Sequence, residues 1–182
     1  MSATIIDTCC LINLYASQHL EAIVGASIDQ ALIPKMVLSE SLHVRQLCKD
    51  DPDRLVPKEV DLNPLIKGGI LEVTEPTDFA ELELFMHLAG IIDDGEAACL
   101  AIASNRGHIL ATDDRRAIKV ATELNVSIVT TPDLIKEWVK FTSPEPFQVT
   151  ETIHCIERYG RFRPHPSSPH AEWWEEQLRW NR

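Results

Sequence analysis

Five acidic residues interrupt apolar surroundings in this chain. Asp7 follows Thr4-Ile5-Ile6, and Glu40 follows Val37-Leu38-Ser39. Glu96 opens the small-residue run Ala97-Ala98-Cys99-Leu100-Ala101, and the pair Asp113–Asp114 follows Ile109-Leu110-Ala111-Thr112. Carboxylate oxygens are the preferred protein donors for Mg²⁺ and Mn²⁺, hard cations that keep several waters. About four such groups around one or two ions suffice to activate a water for phosphodiester cleavage. The set Asp7, Glu40, Glu96 and Asp114, with Asp113 beside it, supplies that number.

Each acid also has a plainer reading. Asp7 is either a ligand at a strand tip, assisted by the Thr8 hydroxyl, or an N-cap for the helix near Leu11. Glu40 suits the first turn of a helix, where the dipole favours an anion. Asp93-Asp94-Gly95-Glu96 packs three acids into four residues beside a buried helix. Carboxylates there need cations or donors, so Glu96 is read as a ligand and Asp94 as a cap or outer group. Asp113–Asp114 before Arg115-Arg116 has the same two readings, cap or ligand.

Other chemistries are poorly supplied. The five cysteines (Cys9, Cys10, Cys48, Cys99 and Cys155) form no CxxC pair and are read as reduced thiols. The sequence has no HExxH, no glycine-rich phosphate loop and no nucleophile elbow. An aspartate-nucleophile phosphotransferase usually carries a second Asp two residues on, where this chain has Cys9.

The elements that must position these acids alternate. Strands are expected at 4–6, 31–34, 70–73, 108–112 and 127–129. Helices are expected at 11–23, 36–47, 78–88, 96–104, 115–124 and 132–141, with a loosely structured connection at 49–68. Alternation of this kind implies right-handed crossovers and a parallel sheet with helices on both faces. Functional groups then lie beyond the carboxyl ends of strands, where Asp7 and Asp113–Asp114 fall.

The order Ile5-Ile6-Asp7-Thr8, Leu38-Ser39-Glu40, Asp93-Asp94-Gly95-Glu96-Ala97 and Ala111-Thr112-Asp113-Asp114-Arg115-Arg116-Ala117 resembles the PIN-domain nucleases over residues 4 to about 140. The resemblance implies a three-layer α/β/α fold and a Mg²⁺- or Mn²⁺-dependent endoribonuclease. It implies Asp7, Glu40, Glu96 and Asp114 as the acidic quartet, with Asp113 adjacent. Many prokaryotic members resemble VapC-type toxins, which implies RNA as substrate, an antitoxin protein as partner and a homodimer. The alternative is a PIN-like module that binds RNA or protein with little catalysis.

Bulk properties set the remaining expectations. The chain has 182 residues and a net charge of −11. Residues 1–142, read as the nuclease domain, carry 22 acids against 12 bases. An acidic body disfavours phosphate contacts, unless a carboxylate cluster is neutralised by metal. No run is long and apolar enough to span a membrane, and Met1-Ser2-Ala3-Thr4 has no basic n-region, so a cytoplasmic protein is expected. Residues 143–182 form a Pro/Arg/Trp-rich extension outside the resemblance. There Arg158, Tyr159, Arg161 and Phe162 interleave base and aromatic, which suits single-stranded RNA. The reading preferred is that Trp173, Trp174 and Trp180 dock on the domain or on a second subunit.

Overall fold

The first strand is short and β-branched throughout, and it is covered on both sides. In a computed structural model describing residues 2–40, 42–51 and 53–179, Thr4–Ile6 form β1, all three buried. The chain continues through α1 (Thr8–Ala16), α2 (Leu20–Ser27), β2 (Ala31–Pro34), α3 (Lys35–Ser39), β3 (His43–Leu47) and β4 (Leu55–Glu59). It then forms α4 (Asn63–Lys67), β5 (Glu72–Thr74), α5 (Phe79–Leu88), α6 (Asp94–Arg106), β6 (Ile109–Ala111) and α7 (Arg115–Glu123). Last come β7 (Ile128–Val129), α8 (Thr131–Thr142), α9 (Pro146–Cys155), a π-turn at Ile156–Gly160 and α10 (Ala171–Arg179). The fold is of the three-layer α/β/α class, with a five-stranded parallel sheet flanked by helices.

Contacts divide the chain into two units. The first holds the residues up to Leu11, the segment that starts at Ile28, and Asp61–Thr131. Its sheet has the order β5-β2-β1-β6-β7, every pair parallel. Thr4 pairs with both Ala31 and Ile109, and Ile6 with Ala111. From the central β1 the chain builds outward to β2 and β5, then returns to build β6 and β7. The direction switches between β1 and β6, where a doubly wound sheet opens a crevice at its carboxyl edge.

Helix α6 lies against this sheet because its side chains are small: Ala97, Ala98, Cys99, Ala101 and Ala103 are all buried. It stops at Gly107, whose φ of +65° is the left-handed conformation that glycine adopts without a Cβ penalty. Its last residue, Arg106, grips the wholly buried Glu81 of α5 with Nε and Nη2, at 2.6 and 2.9 Å. The same guanidinium donates to Thr74 Oγ1 and to the Glu75 carbonyl.

The second unit, Ile12–Ser27, Leu42–Val60 and the chain from Pro132 onward, contains features that depart from expectation. The helix expected at 36–47 ends at Ser39, and His43–Leu47 is a strand antiparallel to β4. Val37, Val44 and Leu47 have helical spacing, but Val44 is buried as a strand residue and Leu47 is 39% exposed. Within the connection expected to be loosely structured, Leu55–Glu59 form β4 and Asn63–Lys67 form α4. The helix expected at 11–23 starts earlier, at Thr8, and breaks where Gln18 takes a φ of +64°.

The tail is helical. Trp174 is fully buried, donates Nε1–H to Glu157 Oε1 at 3.0 Å, and meets Phe162 edge-on. Arg163 pairs with Glu157 and Glu175. Phe162 and Arg163 are thus engaged inside the unit, and Trp174 docks there; Trp180 lies outside the described residues. Gly160 presses on α1, where a Cβ would sit 3.0 Å from Asn13 Oδ1 and 3.2 Å from Ala16 Cβ.

Candidate active site

Asp7 leaves β1 with its backbone N–H bonded to the Ala111 carbonyl of β6, at 3.1 Å. Its side chain caps α1: Oδ1 accepts from the Cys10 N–H at 2.8 Å. Oδ2 accepts from the Thr112 hydroxyl, and the Cys9 thiol lies 3.2 Å from both oxygens. Asp7 is 1% exposed. Burial pushes its carboxyl up to about 7, outweighing these donors, and the Asp113 charge adds to the rise.

Asp113 and Asp114 diverge. Asp114 caps α7 with Oδ1, accepting from Arg116 N at 2.7 Å and Ala117 N at 3.0 Å. Its own N–H donates to Thr112 Oγ1, so Thr112 touches both Asp7 and Asp114. Asp113 turns to the start of α8 and accepts from the Thr131 N–H and hydroxyl. Its backbone N–H donates to Cys9 Sγ at 3.2 Å. Burial and the charges of Asp7 and Asp113 push the Cys9 thiol up, so it keeps its proton.

Glu40 is not in a first helical turn. It stands at the C-terminal end of α3, which removes the dipole argument for an anion there. Thr8, expected to assist Asp7, instead donates Oγ1–H to Glu40 Oε2 at 2.6 Å. The Glu40 carboxylate also occupies the space a Cβ at Gly95 would fill. Glycine at position 95 is therefore what lets Glu40 lie over the start of α6.

Glu96 is the third residue of α6, and it accepts from the N–H of Asp93, the residue that caps the helix in place of the expected Asp94. Its carboxyl is pushed up to about 7 by burial, and then by the charges of Asp114, Asp93 and Glu40. The sequence-predicted acids therefore form two linked sets in this arrangement. Asp7 and Asp113 interact through charge and Cys9, while Glu96 feels Asp114 and Glu40. Among the described residues, no three His, Cys, Asp or Glu side chains converge as ligands to a single ion. Cys9, Thr112 and Thr131 hold the acids, a role that was not read from the sequence. Their only signal was adjacency, beside Asp7, before Asp113, and ahead of Pro132.

As carboxylate oxygens, these groups are of the chemical kind that hard divalent cations take. Two carboxyls lifted to about 7 by burial, and further by the charges of neighbouring acids, would favour their ionised form beside a cation. A family model described as PIN domain matches residues 3–153. The chain belongs to the PIN-domain family, whose members are generally nucleases and typically use divalent metals. No match is found among curated proteins.

Proposed function

We propose that this protein is a Mg²⁺- or Mn²⁺-dependent endoribonuclease, with Asp7, Glu40, Glu96 and Asp114 holding the metal and Asp113 assisting. The observation that carries the reading is the buried Asp7 and the half-buried Glu96, each with a carboxyl near 7 and further acids around it. A bound divalent ion would supply an activated water and neutralise charge on the phosphodiester.

The chain's own groups do the rest. Thr112 and the Cys10 N–H fix the Asp7 carboxylate, and Thr8 fixes Glu40 above Gly95. The Asp93 N–H fixes Glu96, and the start of α7 fixes one oxygen of Asp114. Such prepositioning spares the site reorganisation when charge develops. A place as the toxin of a toxin–antitoxin pair, with an antitoxin and a second copy as partners, is supported by the family resemblance alone.

Purified protein is expected to cleave single-stranded RNA with Mn²⁺ and to stop with EDTA. Asp7→Asn should lose at least about 100-fold in rate, since it changes a ligand and not an outer group. Cleavage by Asp7→Asn at the wild-type rate would overturn the mechanism.

A further inference from the structure

The geometry points to Cys9 as a positioning residue that sets the metal affinity of this site by holding Asp7 and the Asp113 backbone in one arrangement. The inference rests on the nuclease reading above and assigns a role to a residue outside the acidic set.

Three observations carry it. The Cys9 sulfur lies 3.2 Å from Oδ1 and 3.2 Å from Oδ2 of Asp7, so its S–H is shared across the whole carboxylate. The same sulfur accepts the Asp113 N–H at 3.2 Å, which ties the residue after β6 to the start of α1. It also stands 3.8 Å from the Thr112 hydroxyl, the other side chain that touches Asp7. One side chain thus bridges the tips of two neighbouring parallel strands. Sulfur's long bonds and diffuse lone pairs let it span contacts that a shorter hydroxyl reaches only with some closing of the gap.

Removing an outer group that orients a ligand typically costs about 10- to 100-fold in metal affinity or activity. Without the thiol, Asp7 keeps its cap bond and its Thr112 bond but loses the link to the Asp113 segment. The tips of β1 and β6 are then less firmly tied, and part of the binding energy of an ion goes into bringing Asp7 and the Asp113 segment together again. The loss should appear in metal binding and be recovered once metal saturates the site.

The test compares wild type, Cys9→Ala and Cys9→Ser by Mn²⁺ calorimetry and by RNA cleavage across a Mn²⁺ titration, with circular dichroism to show that each is folded. Cys9→Ala is expected to bind Mn²⁺ about 10-fold more weakly. Its cleavage rate at saturating Mn²⁺ should stay within about 3-fold of wild type, and Cys9→Ser should recover affinity to within about 3-fold. Wild-type Mn²⁺ affinity in Cys9→Ala would overturn the positioning role while leaving the nuclease reading intact. Equal weakening in Cys9→Ala and Cys9→Ser would also overturn it, because a hydroxyl donates and accepts as the thiol does. A wild-type protein that neither binds Mn²⁺ nor cleaves RNA would overturn both.

Discussion

At the residue scale, capping and ligation are not competing explanations. Asp7 caps α1 and Asp114 caps α7, each through Oδ1. A cap fixes a carboxylate's orientation, and the plain reading of each acid is what makes the functional one workable. Gly95 gives a sharper test. Alanine there should favour the helix by about 0.5–1 kcal/mol, yet its Cβ takes the space of the Glu40 carboxylate. Gly95→Ala should therefore keep or raise the thermal unfolding midpoint while RNA cleavage falls at least about 10-fold. Undiminished cleavage would show that Glu40 need not lie over α6. Asp7, Glu96 and Asp114 stood out because an acid at the edge of an apolar run is conspicuous. Cys9, Thr112 and Thr131 did not, because a small polar residue within two positions of an acid has no periodicity to betray it. Glu40 was singled out, but on the wrong end of its helix, since five residues are too few for a pattern to set direction.

At the element scale, α5 and α6 are pinned by one ion pair with unequal burial, Glu81 being 1% and Arg106 28% exposed in their side chains. The guanidinium holds the Glu81 carboxyl below the usual range, with further donors in the Thr77 and Asp78 backbone N–H groups. Removing one partner strands a buried charge. Arg106→Met should cost about 3–5 kcal/mol in urea unfolding, and adding Glu81→Leu should restore most of it. A double variant no better than the single would sink that account. Glu81 was invisible in the sequence as one acid in the acidic run Glu81-Leu82-Glu83. The antiparallel pair β3–β4 was missed for a different reason. Val37, Val44 and Leu47 imitate a helical stripe, whereas the strand's true signal, one buried Val between polar neighbours, is too short to register. The inner strands β1, β2 and β6 were legible because burial leaves them short apolar runs.

At the scale of the whole molecule, the net charge of −11 and the lifted carboxyls act together. Asp7 and Glu96 bind protons in the folded state up to about 7, whereas in the unfolded chain they release them near 3.8 and 4.5. The folded state is therefore favoured by these groups at low pH, and that contribution is lost as pH rises to about 7. Protein stripped with EDTA should lose thermal stability between about pH 5 and pH 8, and saturating Mn²⁺ should remove most of the slope. Asp7→Asn should show a shallower loss without metal. A flat profile in stripped wild type would contradict the lifted carboxyls. The tail behaves differently, because its order depends on counting. In an α-helix each residue turns the chain by about 100°, and the π-turn at Ile156–Gly160 absorbs one residue more than α winding allows. Deleting one of those residues lets regular α winding close the gap, so the following chain keeps its direction and Phe162 and Arg163 keep their places beside Trp174 and Glu157. A second inserted residue has no such slack to enter. In this stretch the fold can give up a residue more readily than take one on.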